Sequence, residues 1–461
     1  MANRINMFYI AIDLGSSNGR VFLGQFAKQK PKHVEAYRFV NAPIFQDGHW
    51  RWNWPYLRSE IHTGLRKAAE LAGRGKIASL GCSSWAQDFV MLDAAGHLLE
   101  NPICYRDEFT RGLPQAFADV ISPAELVKRV GCCISPITTL CKLKAMRNQY
   151  PELLKQTKVI LHMADMVHFD LCGNAVTDWT LATAGQMFNI ANQEWDIDLL
   201  TQLDIPANIL PPVVMSPQAI GRVRPESSPH PALNNIPVIS TAHHDTSCAT
   251  VCLRPLKPGL FFICLGSYAM PGCVLSSAQW PGNAKLNEHT LTGIANQQWG
   301  LFGSCAGSWI IQECKREWEK KDMPMEYDRL VTLAEESEYR GIIDLTHPRF
   351  SKPDNMISEL TNACRESNLP IPREPGDIAR LVFDSMAAGA AQAVRQLEAA
   401  VNKKCRCLFL VGGGSKNSCL TRRISDNLGC EIVIGPAEAT AVGNLMLQQE
   451  VLISHENAQD G

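Results

Sequence analysis

Twice along the chain an apolar run ends in a small-residue turn and then resumes. Residues 9–26 read "YIAIDLGSSNGRVFLGQF" and residues 259–275 read "GLFFICLGSYAMPGCVL". Each is the pattern of two strands joined by a Gly-Ser turn. Each also has an acid nearby, Asp13 at the end of the first strand and Asp245 in "VISTAHHDTSCATVCL" just ahead of the second pair. A chain that repeats such a unit is constrained toward two related halves. Halves that face one another enclose a cleft, the usual place for a ligand that has to be surrounded. The two stretches share few letters, so by pattern alone the duplication is weak.

The remainder of the sequence fits that division. At 461 residues the chain exceeds the size of a single core. Strand-like runs such as "IASLGCS", "FVMLD", "KVILHMAD", "IPVIST" and "CLFLVGG" alternate with helical patterns such as "YLRSEIHTGLRKAAELAG", "IARLVFDSMAAGAAQAVRQLEAAV" and "NSCLTRRISDNLG". This predicts an α/β fold with a helix-covered sheet in each half. The segment 206–237, rich in Pro, Ser and Asn, is the expected boundary, giving domains 1–237 and 238–461.

The first turn also has a chemistry. Asp13, Gly15, Ser16, Ser17, Asn18 and Arg20 combine a carboxylate, hydroxyls, accessible backbone N–H groups and a guanidinium. That set suits Mg²⁺ and polyphosphate, because hard oxygen ligands hold the metal while amides and arginine neutralise phosphate oxygens. A hairpin turn needs no ligand, however, and on this stretch alone that alternative stays open. A second glycine-rich segment, Gly412, Gly413 and Gly414, lies between an apolar strand and a helix, where backbone approaches a nucleotide with no Cβ in the way. It matches neither the Walker pattern nor GxGxxG. "GPAEATAVGN", with a small-residue helix from Ala437 to Asn444, suggests either another close approach to a ligand or tight helix packing.

Charge and cysteine narrow the partners. With 44 basic and 46 acidic residues the formal net charge is -2, so no global field draws nucleic acid or an anionic membrane. Small-molecule chemistry is expected instead. No apolar run approaches the roughly 20 residues that cross a bilayer, and the polar start leads into a strand. The 17 cysteines form no CxxC pair and read as small buried hydrophobes in a reducing compartment, so a cytoplasmic protein is expected.

Four segments, "AIDLGSSNGR", "HHDTSCA", "VGGGSKNSCLTRRISDNLG" and "GPAEATAVGN", together resemble the FGGY family of carbohydrate kinases, and within it the rhamnulokinase branch. The resemblance includes "YRDEFTRG" near residue 105, "QEWD" at 193–196 and "WIIQECKREW" at 309–318, and so runs over nearly the whole chain. It implies two ribonuclease H-like domains of the actin and hexokinase type flanking a central cleft. The N-terminal domain would bind sugar and the C-terminal domain nucleotide. ATP and Mg²⁺ are the implied cofactors and a small sugar the implied partner, in a monomer or homodimer.

Residue by residue, the resemblance makes Asp13 the acid that organises Mg²⁺ and puts Ser16, Ser17 and Arg20 near the transferred phosphate. Gly266 and Ser267 fall against the ATP phosphates, and Gly413, Gly414 and Asn417 on the adenosine side. Asp245 is the implied base that deprotonates the attacking hydroxyl. An Asp followed by Thr and Ser is also a helix N-cap, and that alternative remains. His244 matches the branch's "HD" and either touches the sugar or is a buried, satisfied histidine.

The expected sugar pocket contains Trp85, Gln87 and Asp88. Here the sequence departs from the branch, reading Ser83, Ser84, Trp85, Ala86, Gln87, Asp88 where an acid followed by Thr-Trp-Gly-Val-Asp is usual. The expectation drawn from this is a ketose or deoxyketose differing from L-rhamnulose in at least one group, with Gln87 bonded to it. Other substrates of the family (L-fuculose, xylulose, a polyol), a catalytically silent sugar-binding regulator and a nucleotide-switched assembly protein are the competing readings.

Overall fold

Strand Met7–Leu14 is buried along most of its length, as its near-continuous apolar letters require. It pairs antiparallel with Asn18–Ala27 and parallel with Lys76–Ser84. The whole sheet runs Gln218–Arg222, Pro237–Ser240, Lys76–Ser84, Met7–Leu14, Asn18–Ala27, Lys30–Val40. These elements come from a computed structural model that describes residues 7–27, 30–73, 75–351 and 353–459.

The second half repeats the plan. Phe261–Leu265 pairs antiparallel with Tyr268–Leu275 and parallel with Cys407–Val411. Its sheet runs Thr290–Ile294, Gln298–Phe302, Tyr268–Leu275, Phe261–Leu265, Cys407–Val411, Glu431–Ile434. In both sheets an antiparallel run, three strands in the first and four in the second, is extended on the side of its first strand by two parallel strands, and the first sheet ends in the antiparallel edge strand Gln218–Arg222. The duplication is therefore structural, and each half has the ribonuclease H-like topology. Strand Pro237–Ser240 hydrogen-bonds into the first sheet, so a division after residue 237 falls at the start of that sheet's last strand in sequence.

Side chains alternate across each sheet, and the alternation decides what faces the middle. Ile10, Ile12 and Leu14 pack with Leu57, Ile61 and Leu65 of helix Trp54–Ala72. Tyr9 and Ala11 pack instead with Ala441 and Leu445 of helix Ala439–Gln459, and Asp13 falls on that same face. In the second sheet Phe261, Ile263 and Leu265 share a core with helix Pro375–Val401, while Phe262 joins Val251, Ala439 and Leu447. Helix Ala439–Gln459 thus lies between the two sheets.

A buried polar seam fixes that helix. Gln448 accepts from Ser79 Oγ at 2.7 Å and donates to the Ile10 carbonyl at 2.9 Å. Asn444 donates to Ser83 Oγ and Thr241 Oγ1, both at 3.2 Å. A Cβ on Gly443 would come within 2.2 Å of the Cys248 carbonyl oxygen. The small residues of "GPAEATAVGN" from Ala441 onward therefore serve helix packing.

An insertion between the strands of the first sheet builds a third core from strands Phe89–Leu92 and Val159–His162 and helices such as Thr139–Gln149. "KVILHMAD", expected as strand throughout, turns helical at Met163. The Asp165 carboxylate accepts from the His162 backbone N–H at 3.2 Å and so caps helix Met163–Cys172. All 17 cysteines are unpaired and most are buried. Among the described residues no helix is long and apolar enough to cross a membrane.

Candidate active site

The two Gly-Ser turns open onto one cleft of about 1250 Å³. Each turn is closed by a glycine N–H, Gly15 to the Asn18 carbonyl at 2.9 Å and Gly266 to the Tyr268 carbonyl at 3.0 Å. Superposed by sequence, the turns read Asp13-Leu14-Gly15-Ser16 and Cys264-Leu265-Gly266-Ser267. Only the first copy carries an acid at the strand end. Asp13, Ser16, Ser17, Arg20, Gly266, Ser267, Gly413, Gly414, Trp85, Gln87, His244 and Asp245 all line the cleft. Asp88 and Asn417 do not.

Charge is concentrated at the first turn. Arg20 bridges Asp13, its cross-strand neighbour, and Glu438 from the opposite half. Burial raises the Asp13 carboxyl above its ordinary value, Arg20 lowers it, and the charge of Asp245 raises it again. Asp245 opens the short helix Asp245–Ala249. Its Oδ1 accepts from the Thr246 N–H at 2.6 Å and the Thr246 hydroxyl at 3.3 Å, while Oδ2 has no hydrogen-bond partner among the described residues. One oxygen thus serves the helix end and the other is free for chemistry. Burial pushes this carboxyl up to about 6, against the pull of Thr246 and Arg20.

The segment ahead of Asp245 is held from several sides. The His243 backbone N–H donates to Asp178 Oδ1 at 3.1 Å, and its Nδ1 lies 2.6 Å from Asp165 Oδ1. The His244 N–H donates to Thr180 Oγ1 at 3.1 Å, and its Nδ1 is 3.2 Å from Ser247 Oγ. Burial lowers the His244 imidazole to about 4, so it is neutral at physiological pH. His244 has protein partners and also lines the cleft, so both expectations for it find support.

The sugar-pocket residues divide. Trp85 presents its ring to the cleft and turns its indole N–H inward to Asp88 Oδ2 at 2.9 Å. Asp88, expected at the sugar, is fully buried and saturated. It accepts from Trp52 Nε1 at 2.6 Å, Trp85 Nε1 and the Tyr105 N–H at 3.2 Å, and it pairs with Lys142. Gln87 sits at φ +81 with its amide engaged. It donates to the Ala184 carbonyl at 3.0 Å and accepts from the Thr139 N–H at 3.3 Å. Ser83 is buried and donates to the Ala242 carbonyl at 3.0 Å. The departures at Ser83 and Gln87 therefore tie the halves and the insertion together, and Gln87, which also lines the cleft, keeps a second N–H and a second acceptor site beyond these bonds.

On the nucleotide side, Gly412 adopts φ +91, and a Cβ there would lie 2.7 Å from the Leu265 carbonyl. Gly413 has nothing within 4 Å of a Cβ position and offers bare backbone to the cleft. This arrangement fits a nucleotide. Asn417 caps helix Ser418–Leu428 through the Leu420 N–H at 2.9 Å and donates to Tyr327 OH at 3.1 Å. It holds Tyr327, which lines the cleft, and does not reach the cleft itself. The acid and hydroxyls at the first turn are hard oxygen donors. Among the described residues no cluster of three His, Cys, Asp or Glu forms a self-contained metal site. Such a donor set fits a magnesium ion that arrives with its phosphates.

Sequence reasoning passed over Glu438, Tyr105, Arg106, Trp309 and Tyr327, all on the cleft wall. Glu438 had a usable signal, being the one charged side chain in "GPAEATAVGN".

Comparison with known proteins agrees over the chain's length. The sequence profile of the FGGY family of carbohydrate kinases, N-terminal domain, matches residues 8–252, and that of its C-terminal domain matches 273–449. A rhamnulokinase of Oceanobacillus iheyensis is 31% identical over 98% of this chain and 94% of its own length. A rhamnulokinase of Bacillus subtilis is 30% identical over 96% and 90%. Among solved structures, a ligand-bound xylulose kinase from Lactobacillus acidophilus superposes with a TM-score of 0.79 at 16% identity, covering 97% of this chain and 89% of that one. Plasmodium falciparum glycerol kinase with ADP gives 0.76 at 16% identity, covering 97% and 90%.

Proposed function

The chain belongs to the FGGY family of carbohydrate kinases, and from that premise we propose that it phosphorylates a ketose or deoxyketose of the L-rhamnulose type. ATP-dependent sugar phosphorylation is the family's activity and this chain's. The narrower substrate rests on the rhamnulokinase relatives, and the bonds of Gln87 and Ser83 to protein weaken the argument for a different sugar. Division of labour between 1–237 for sugar and 238–461 for nucleotide is part of the same proposal.

One observation carries the mechanism: Asp13 and Asp245 line one cleft from neighbouring segments, Asp13 opposite Ser83 and Asp245 just after the His243 carbonyl that accepts from the Ser84 N–H, and Asp245 keeps an unengaged oxygen. In this reading the sugar hydroxyl gives its proton to Asp245 as its oxygen attacks the γ-phosphorus. The bond from phosphorus to the β–γ bridging oxygen breaks, and its electron pair leaves on ADP. Asp13 and the hydroxyls of Ser16 and Ser17 would hold Mg²⁺, which when bound neutralises phosphate oxygens. Arg20, the Gly266-Ser267 turn and the Gly413-Gly414 backbone would bind and orient the triphosphate. Trp85 would offer a ring face to the sugar, with His244 beside it.

The pH dependence follows from Asp245. The base works ionised, and its carboxyl titrates near 6. The kcat/KM for sugar at saturating Mg-ATP should be flat near neutrality and fall about tenfold per unit below pH 6. A limb near the ordinary carboxylate value of about 4 would remove Asp245 as the titrating group.

The substrate is tested by ADP release with Mg-ATP over L-rhamnulose, L-fuculose, D-xylulose and polyols. L-rhamnulose should stimulate well above basal hydrolysis and give the highest kcat/KM. A clear preference for another sugar would replace the substrate assignment. ATP binding without turnover on any sugar would favour the silent regulator.

A further inference from the structure

"YRDEFTRG" and "WIIQECKREW", on separate halves of the sequence, meet across the cleft. Tyr105 and Arg106 come from the first half, and Trp309 opens helix Trp309–Glu319 of the second. The Arg106 guanidinium carbon lies 5.2 Å from the Tyr105 ring centroid and 5.4 Å from that of Trp309. Its Nε donates to the Tyr105 hydroxyl at 3.1 Å, and that hydroxyl donates to Ser16 Oγ at 3.3 Å. The strap is thus bonded to the phosphate turn.

The cation it holds has no counter-ion. The neighbouring acids are committed elsewhere: Asp107 to His49 at 3.0 Å and the Trp50 N–H at 2.7 Å, Glu108 to Arg111 at 2.8 Å. No carboxylate pairs with Arg106 among the described residues, whereas Arg20 already bridges Asp13 and Glu438. Two rings hold the guanidinium by cation–π contact while its Nη donors have no hydrogen-bond partner among the described residues. A part-buried, oriented and unpaired guanidinium beside a phosphate turn is complementary to a phosphoryl group carrying charge.

We propose that Arg106 is a catalytic residue of the phosphoryl transfer, its guanidinium taking charge on the γ-phosphoryl oxygens as the bond to ADP breaks, with Trp309 as its positioning residue across the cleft. This rests on the reading of the cleft given above. Because Tyr105 and Trp309 belong to opposite walls, the guanidinium gains its second ring only when the walls are together. Sugar phosphorylation is thereby coupled to closure, and water is disfavoured as acceptor.

The test compares Arg106→Ala, Arg106→Lys, Trp309→Phe and Trp309→Leu with wild type. The readouts are sugar phosphorylation, sugar-free ATP hydrolysis, directly measured ATP affinity and thermal unfolding. Arg106→Ala should lower kcat on the order of 10²- to 10³-fold with sugar KM within a few-fold, and millimolar guanidinium should restore part of the rate. Arg106→Lys should recover little, lacking the planar fork. Trp309→Phe, which keeps a ring, should retain more kcat than Trp309→Leu. Arg106→Ala within fivefold of wild-type kcat, or a loss confined to ATP affinity, or no rescue by guanidinium in a folded variant, would overturn the assignment. Hydrolysis separates the two readings. A wild type that hydrolyses ATP but phosphorylates no sugar, with hydrolysis lost in Arg106→Ala, sinks the kinase reading and keeps this one. A wild type that does neither sinks both.

Discussion

Asp245→Asn should lower kcat on the order of 10²- to 10⁴-fold while nucleotide affinity changes little. Asparagine keeps the size and an acceptor for the Thr246 N–H, so the end of helix Asp245–Ala249 stays capped. What disappears is the basic oxygen. Linkage gives the opposite sign for stability. The Asp245 carboxyl titrates near 6 in the folded chain, above its ordinary value. Between those two values the folded state binds the proton more tightly, so this group's contribution to stability declines as pH rises through that window. At neutral pH the neutral amide should therefore leave the fold at least as stable as wild type. Steady-state kinetics, ATP titration and thermal unfolding on one preparation check all three points. A variant that melts early, or that turns over sugar at the wild-type rate, would show that the carboxylate's role is capping the helix.

Lys142→Met should destabilise the chain by about 3–5 kcal/mol, the usual consequence of leaving one buried charge without its partner. The Lys142–Asp88 pair is 5% and 0% exposed at its side chains. Asp88 also takes Trp52 and Trp85, so its carboxylate organises the wall of the sugar end. Methionine matches the lysine stem in length but leaves the buried Asp88 carboxyl without its cationic partner. Denaturant midpoints should show the loss, and sugar KM should rise as Trp85 loosens. Adding Asp88→Asn to Lys142→Met should recover a large part of the stability, because the stranded charge is then gone. A single variant within 1 kcal/mol of wild type would mean that Asp88 is satisfied without the lysine.

Much of this architecture is legible in the letters, for physical reasons. The halves are visible because a Gly-Ser hairpin turn between apolar strands is local and obeys turn chemistry, and both copies occur as read. The ends of helix Ser418–Leu428 are legible because Asn417 and Gly429 are the residue types that cap helices. The same capping habit explains why Asn417 is poorly read as a ligand contact. Asp88 is misplaced in a related way, and Gln87 both lines the cleft and braces its wall. A polar residue in a pocket motif has the same letter whether it faces the ligand or braces the wall, and only the positions of Lys142, Trp52 and Thr139 distinguish the two. Arg106 was invisible as a site because its significance lies in a ring some two hundred residues further on.

Helix Ala439–Gln459 covers the inner face of the first sheet, with Leu445 filling the space above Gly24 and Gln448 bonded to the Ile10 carbonyl. During synthesis this helix leaves the ribosome after every strand of both sheets. The strands of the first sheet end at Ser240, and the residues that cover Tyr9, Ala11 and Phe22 begin only at Ala441. A chain cut short before residue 439 would carry both turns and Asp245 without the element that wedges the two sheets together.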